Sequence, residues 1–192
     1  MNTVSRLIRR FTVPPVFAAM LLTVVYISHP EYFGAFWLLP IGILFLSVLP
    51  TLAYPMQRVI PHFKNGGRKA QRTLAMIFSF LGYLGGTAVA YISEAPAKLK
   101  MIFLEYLLCG ISMIVLNKLL RLKASGHACG VVGPVFMSAY LRLFAFAIVC
   151  AALIIPVYVS SVKTKQHTVS QLVIGSAIPA VNLLLLTVFF GW

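Results

Sequence analysis

The sequence predicts an all-α fold, a polytopic transmembrane bundle of six or seven helices making one integral membrane domain over residues 1–192, and three observations predict it. First, 60% of the residues are apolar and only 10% are charged, more apolar surface than a soluble domain of this size could hide from water. Second, the apolar residues gather into runs long enough, or nearly so, to cross a bilayer: about 13–28, 33–54, 73–93, 101–117, 143–159 and 168–191. Third, the basic residues sit in short loops between those runs.

Each run has its own reading. The first follows a basic start and is followed by no small-x-small cleavage pattern, so it is expected to be a retained span rather than a signal peptide. Pro30, Pro55 and Pro61 are expected to punctuate the chain between early elements, whereas Pro40, Pro50, Pro156 and Pro179 should kink spans or lie near their ends. Gly66-Gly67 suits a loop and Gly85-Gly86 a close helix contact. Glu105 lies inside a span, where a carboxylate either has a function or partner or reaches the interface from near its helix end. A shorter run, 127–141, reads as a tilted or partly buried helix, and counting it makes seven. Cys109, Cys129 and Cys150 lie in apolar surroundings at no metal-like spacing and read as buried, inert thiols.

Charge narrows the function classes. The 16 Lys and Arg residues against three acids give +13, but their place between apolar runs points to anionic lipid headgroups or a phosphate substrate rather than nucleic acid. The chain has no aspartate, its acids being Glu31, Glu94 and Glu105. That removes membrane enzymes that hold magnesium with paired aspartates, such as aspartate-rich prenyltransferases and CDP-alcohol transferases. No cofactor or metal is expected. Setting aside the loops at 118–126 and 160–167, Arg6, Arg9, Arg10, Arg58, Lys64, Arg68, Lys69 and Arg72 stand against Lys98, Lys100 and Arg142. With seven helices the positive-inside rule then puts the N-terminus in the cytoplasm and the C-terminus outside, in a plasma (inner) membrane.

The two loops set aside share one face and hold the constellation that suggests chemistry. The first runs from Asn117 through Lys118, Arg121, Lys123, Ser125 and Gly126 to His127, where a helix begins. Lys118 and Arg121, three apart, are expected to share a face of the preceding helix end. Ser125-Gly126 would place backbone N–H groups and the positive end of a helix dipole beside His127, an arrangement that binds phosphate. The second runs from Ser160 and Ser161 through Lys163 and Lys165 to His167 and Gln171, four apart at a helix start, so that the Gln171 carbonyl can accept from the imidazole Nδ1–H. Two histidines at helix N-termini among cations suit phosphoryl transfer, one attacking phosphorus and the other protonating the leaving oxygen. The plainer readings are interfacial histidines and, above all for Lys163, ordinary topology anchors. His29 and His62 lie in loops without comparable surroundings and are expected to be solvated.

These residues resemble the type 2 phosphatidic acid phosphatase superfamily. Lys123-Ala-Ser-Gly-His127 is similar to its Pro-Ser-Gly-His element, and Ser160 with His167 matches its Ser-Arg, five residues, His element, Ser161 standing where the arginine belongs. Gln171 replaces the usual aspartate, and His167-Thr-Val-Ser-Gln171 resembles the His-Thr-x-x-Gln of the dolichyl-diphosphate phosphatase branch. The first family motif is degraded, with Lys118 or Lys123 for its lysine and no Arg-Pro after it. The resemblance covers roughly residues 100–185. It implies a metal-independent phosphatase of a lipid phosphate or polyprenyl diphosphate working through a phosphohistidine. His167 would be the nucleophile, Gln171 its orienting partner and His127 the general acid, with Ser125, Gly126, Lys118, Arg121, Lys123 and Lys165 cradling the phosphate. A headgroup phosphotransferase with the same chemistry, or a non-catalytic relative that binds anionic lipid or transports, are the alternatives; the oligomeric state stays open.

Overall fold

The computed structural model of the chain describes residues 13–164 and 166–191. Among them are eight helices and no strand: α1 Pro14–Ser28, α2 Leu38–Val59, α3 Pro61–Lys64, α4 Gly67–Ile92, α5 Ala97–Leu119, α6 Gly126–Tyr140, α7 Phe144–Lys163 and α8 Val169–Phe190. Five of these (α2, α4, α5, α7 and α8) are long and apolar enough to cross a membrane. At 1.5 Å per residue the 22 residues of α8 reach about 33 Å, the thickness of a hydrocarbon core. The outside of the bundle is apolar, with Ile148, Ile155, Leu184 and Val188 all exposed, as lipid contact requires and water would penalise.

The shortest of the seven main helices share the inside. α6 has 15 residues, about 22 Å, yet it packs against α1, α5, α7 and α8 and so forms the axis of that half of the molecule. α4 packs between α2 and α5 in the other half. Glycine permits the closest approaches, since lipid gives helices no hydrophobic drive to associate and backbone proximity must supply the contact. A Cβ on Gly85 would lie 2.7 Å from the Phe45 ring, and one on Gly86 2.5 Å from the Phe103 ring, so the expected tight contact at this pair is present. Leu21, Leu22, Phe33, Leu99, Ile102 and Phe103 fill the core beside it.

The boundaries depart from the apolar runs at the basic face. α4 begins at Gly67, not 73, and α7 continues through Ser160 and Ser161 to Lys163, so the loop expected at 160–167 starts only after Lys163. At the end of α7 the hydroxyls are satisfied inside the helix, so polar residues are accommodated there: Ser161 Oγ donates to the Val157 carbonyl at 2.8 Å and Thr164 Oγ1 to that of Ser160 at 2.7 Å. Pro55 lies inside α2 rather than between elements; a π-type stretch, Leu44–Val48, precedes Pro50 and re-routes the local hydrogen bonds. His29 is only partly exposed, bonding Glu31 at 3.0 Å and stacking on Tyr32.

Seven main helices in alternation bring the starts of α1, α4, α6 and α8 and the ends of α2, α5 and α7 to one face. The functional candidates all fall there.

Candidate functional site

A cavity of about 860 Å³ opens among these helix ends, a size that suits one drug-sized or single-chain amphiphilic ligand. At its mouth it is lined by His127 and Gly126 of α6, His167 and Gln171 at the start of α8, Ser161 of α7, Lys118 of α5 and Lys123 of the loop between. Both histidine loops, separated by about 40 residues in sequence, thus serve one cavity.

Local sequence explains how each histidine is held. Thr168 is the N-cap of α8: its hydroxyl accepts from the Gln171 N–H at 3.3 Å while the Gln171 carbonyl oxygen accepts from the Thr168 N–H at 3.4 Å. This capping box fixes Gln171, whose same oxygen lies 3.2 Å from His167 Nδ1. An oxygen that already accepts from a backbone N–H is an acceptor for the ring as well, which makes Nδ1 the donor. Gln171 therefore does two jobs, and the sequence reading found only the bond to His167. On α6, Ser125 is the N-cap, fully buried, its hydroxyl accepting from the Ala128 N–H at 3.2 Å.

The two helix starts are joined directly. The Ser125 N–H donates to the backbone carbonyl of Gln171 at 3.0 Å, and Gly175, one turn into α8, lies so close that a Cβ there would sit 2.3 Å from the Ser125 carbonyl oxygen. α6 and α8 enter the bundle in the same direction, so both positive dipole ends face the cavity mouth, joined by the start of α4.

Not every expected cradle residue is placed alike. Lys118, Lys123 and Gly126 line the cavity; Arg121 and Ser125 are not among its lining residues. The helical spacing assumed for Lys118 and Arg121 fails because α5 ends in a π-type turn, Val115–Leu119, and Arg121 then takes a left-handed φ of 57° that carries it out to solvent. Ser125 spends its hydroxyl on the cap. Lys163 is exposed and does not line the cavity. Lys165, like Arg6, Arg9 and Arg10, lies outside the described residues.

Three further cations were missed. Arg68, Lys69 and Arg72, from the first turns of α4, line the same cavity as the histidines. The sequence counted them only as topology charges, although the parity of the helix count already put them on the histidine face. Among the described residues these and Lys118 and Lys123 put five cationic side chains around the mouth, an arrangement whose self-repulsion an anion relieves.

The floor has a different character. Tyr83 of α4, Glu105, Tyr106 and Cys109 of α5, and Met137 of α6 line it. Glu105 is 3% exposed and eight residues, about 12 Å, from Ala97 at the nearer end of α5, so its carboxyl is enclosed in the bundle and does not reach the interface as one reading allowed. Its Oε1 accepts from Cys109 Sγ at 3.4 Å. Asn182 Nδ2 donates to the same sulfur at 3.5 Å, and Ser112 Oγ to Asn182 Oδ1 at 3.2 Å. Among the described residues no group of three His, Cys, Asp or Glu side chains is placed to hold a metal ion.

Chemically, the mouth can hold a multiply charged oxyanion against two imidazoles, while the deeper cavity accepts an apolar body. Comparison with family models, with curated proteins and with solved structures yields no match for this chain.

Proposed function

We propose that this protein is a membrane phosphatase acting on a lipid phosphate or polyprenyl diphosphate through a phosphohistidine. The observation that carries the reading is the meeting of His127, His167 and Gln171 on one cavity whose mouth is otherwise cationic. Donation from His167 Nδ1 to Gln171 leaves the lone pair on Nε2, which attacks phosphorus. The P–N bond forms as the P–O bond to the leaving group breaks, and His127 gives its proton to the departing oxygen. Water then attacks the phosphohistidine, His127 takes the water's proton, and inorganic phosphate leaves. Lys118, Lys123, Arg68, Lys69, Arg72 and the Gly126 N–H stabilise the charge on the equatorial oxygens, the three α4 cations making up for the arginine that Ser161 replaces. The apolar part of the substrate occupies the rest of the cavity. On the positive-inside rule the mouth faces the cytoplasm.

The test is phosphate release by purified protein across a panel of lipid phosphates and polyprenyl diphosphates, with and without an acceptor alcohol. Release in the wild type and none in His167→Ala supports the reading. Transfer to the alcohol in place of release makes it a headgroup transferase. Equal release from wild type and His167→Ala refutes the mechanism.

A further inference from the structure

The floor of the cavity holds two buried polar atoms that the phosphoryl chemistry does not use. Glu105 Oε2 and Tyr106 Oη are both buried and have no hydrogen-bond partner among the described residues. Their residues are 3% and 8% exposed, and both line the cavity. The neighbouring polar groups are already engaged: Cys109 with Glu105 Oε1 and Asn182, and Asn182 with Ser112. The two atoms therefore remain as unmet polar capacity on residues at the inner end of a space whose outer end is built for an anion. Unmet hydrogen-bonding capacity at such depth is costly unless something satisfies it.

We infer that this floor is a second binding subsite, which receives a hydroxyl group carried on the apolar part of the ligand. A hydroxyl suits either atom: its oxygen accepts from Tyr106 Oη, and its proton goes to Glu105 Oε2 when the carboxyl is ionised, whereas a protonated carboxyl, its Oε1 already accepting from Cys109, donates from Oε2 to the hydroxyl oxygen. An ammonium group matches less well. It offers nothing to the Tyr106 proton, and it must pass five cations at the mouth to arrive. Tyr83, edge-on to Tyr106 with ring centroids 5.4 Å apart, walls the subsite and holds the Tyr106 ring in place. Along α6 the lining residues run from His127 to Met137, ten residues or about 15 Å, so the hydroxyl lies roughly that far from the phosphorus. An extended chain of about twelve carbons, at roughly 1.25 Å per bond, spans the gap. The ligand class is thus a phosphate ester with a single apolar chain or rod bearing a distal hydroxyl. This rests on reading the mouth as the phosphate end.

The experiment compares dodecylphosphonate with 12-hydroxydodecylphosphonate, neither of which can be hydrolysed, by titration calorimetry on detergent-solubilised full-length protein. The hydroxylated probe is expected to bind about tenfold more tightly, the factor that two neutral hydrogen bonds confer. Tyr106→Phe and Glu105→Leu should each shrink the ratio of the two affinities toward one, whatever they do to the plain probe alone; both replacements remove an unmet polar atom, so folding is expected to survive. Equal binding of the two probes would overturn the subsite and leave the anionic mouth standing, the floor then being a place for water. A preference for the hydroxyl that persists in both variants would also overturn it. Binding of neither probe would overturn the reading of the mouth, and the floor subsite with it.

Discussion

Replacing Gly175 by alanine tests the joint on which the site depends. The added Cβ would stand 2.3 Å from the Ser125 carbonyl oxygen and 3.1 Å from its carbonyl carbon and nitrogen, all backbone atoms that cannot rotate away. Ordinary contact needs about 3.5 Å, so the start of α6 must move off α8 by about 1 Å. That movement stretches the Ser125 N–H bond to Gln171, 3.0 Å in the native structure, and separates His127 from His167. Overpacking of this kind costs about 1–3 kcal/mol, or roughly 2–12 °C in Tm for a chain of this length. A displacement of about 1 Å between catalytic groups costs about 100-fold in rate. Gly133→Ala is the control: the nearest atom to its Cβ is Pro179 Cβ at 3.7 Å, an ordinary contact, and helix propensity favours alanine there. The assays are thermal unfolding in detergent and phosphate release. Gly175→Ala protein with wild-type Tm and wild-type rate would refute the claim that this contact holds the two histidine elements in register.

Gln171→Asp should keep phosphate release or raise it by about fivefold, because a charge-assisted bond to His167 exceeds a neutral one by about 1 kcal/mol; a fall in kcat would show that the capping box, not the imidazole, needs the amide. Arg72→Ala should raise KM by about tenfold or more and weaken its salt dependence, while Arg121→Ala should change KM by less than about twofold, since only Arg72 lines the cavity. Ser125→Ala should lower stability by about 1 kcal/mol through loss of the cap to Ala128 and leave KM nearly unchanged; a large KM effect with no loss of Tm would return Ser125 to the phosphate cradle.

The fold was legible where lipid dictates composition. Each apolar run proved to be a helix, including 127–141, because a chain crossing hydrocarbon must satisfy its backbone within the segment. Helix ends were less legible, since hydropathy marks contact with lipid and not the hydrogen-bonding that ends a helix. Ser160, Ser161 and the basic start of α4 are polar yet helical. In the site, the contact of His167 with Gln171 was expected from helical spacing but arises otherwise: His167 precedes the N-cap Thr168, and the capping box turns the Gln171 side chain back toward it. Arg121 was misjudged because a π-type turn and a left-handed residue broke the assumed spacing, which no local pattern announces. The part played by Arg68, Lys69, Arg72 and the floor residues needs tertiary packing, as α4 is far from the histidines in sequence, the floor residues of α5 lie about 20 residues before His127, and both meet the histidines only across the cavity.

The most direct test of the central claim is to trap the phosphoenzyme. Purified protein mixed with a lipid phosphate labelled at phosphorus, quenched in base within the first turnover and digested, should carry an acid-labile, base-stable label on His167. The label should vanish in His167→Ala. A label on another residue, or release of phosphate with no labelled intermediate in wild type, would contradict the assignment of His167 as the nucleophile.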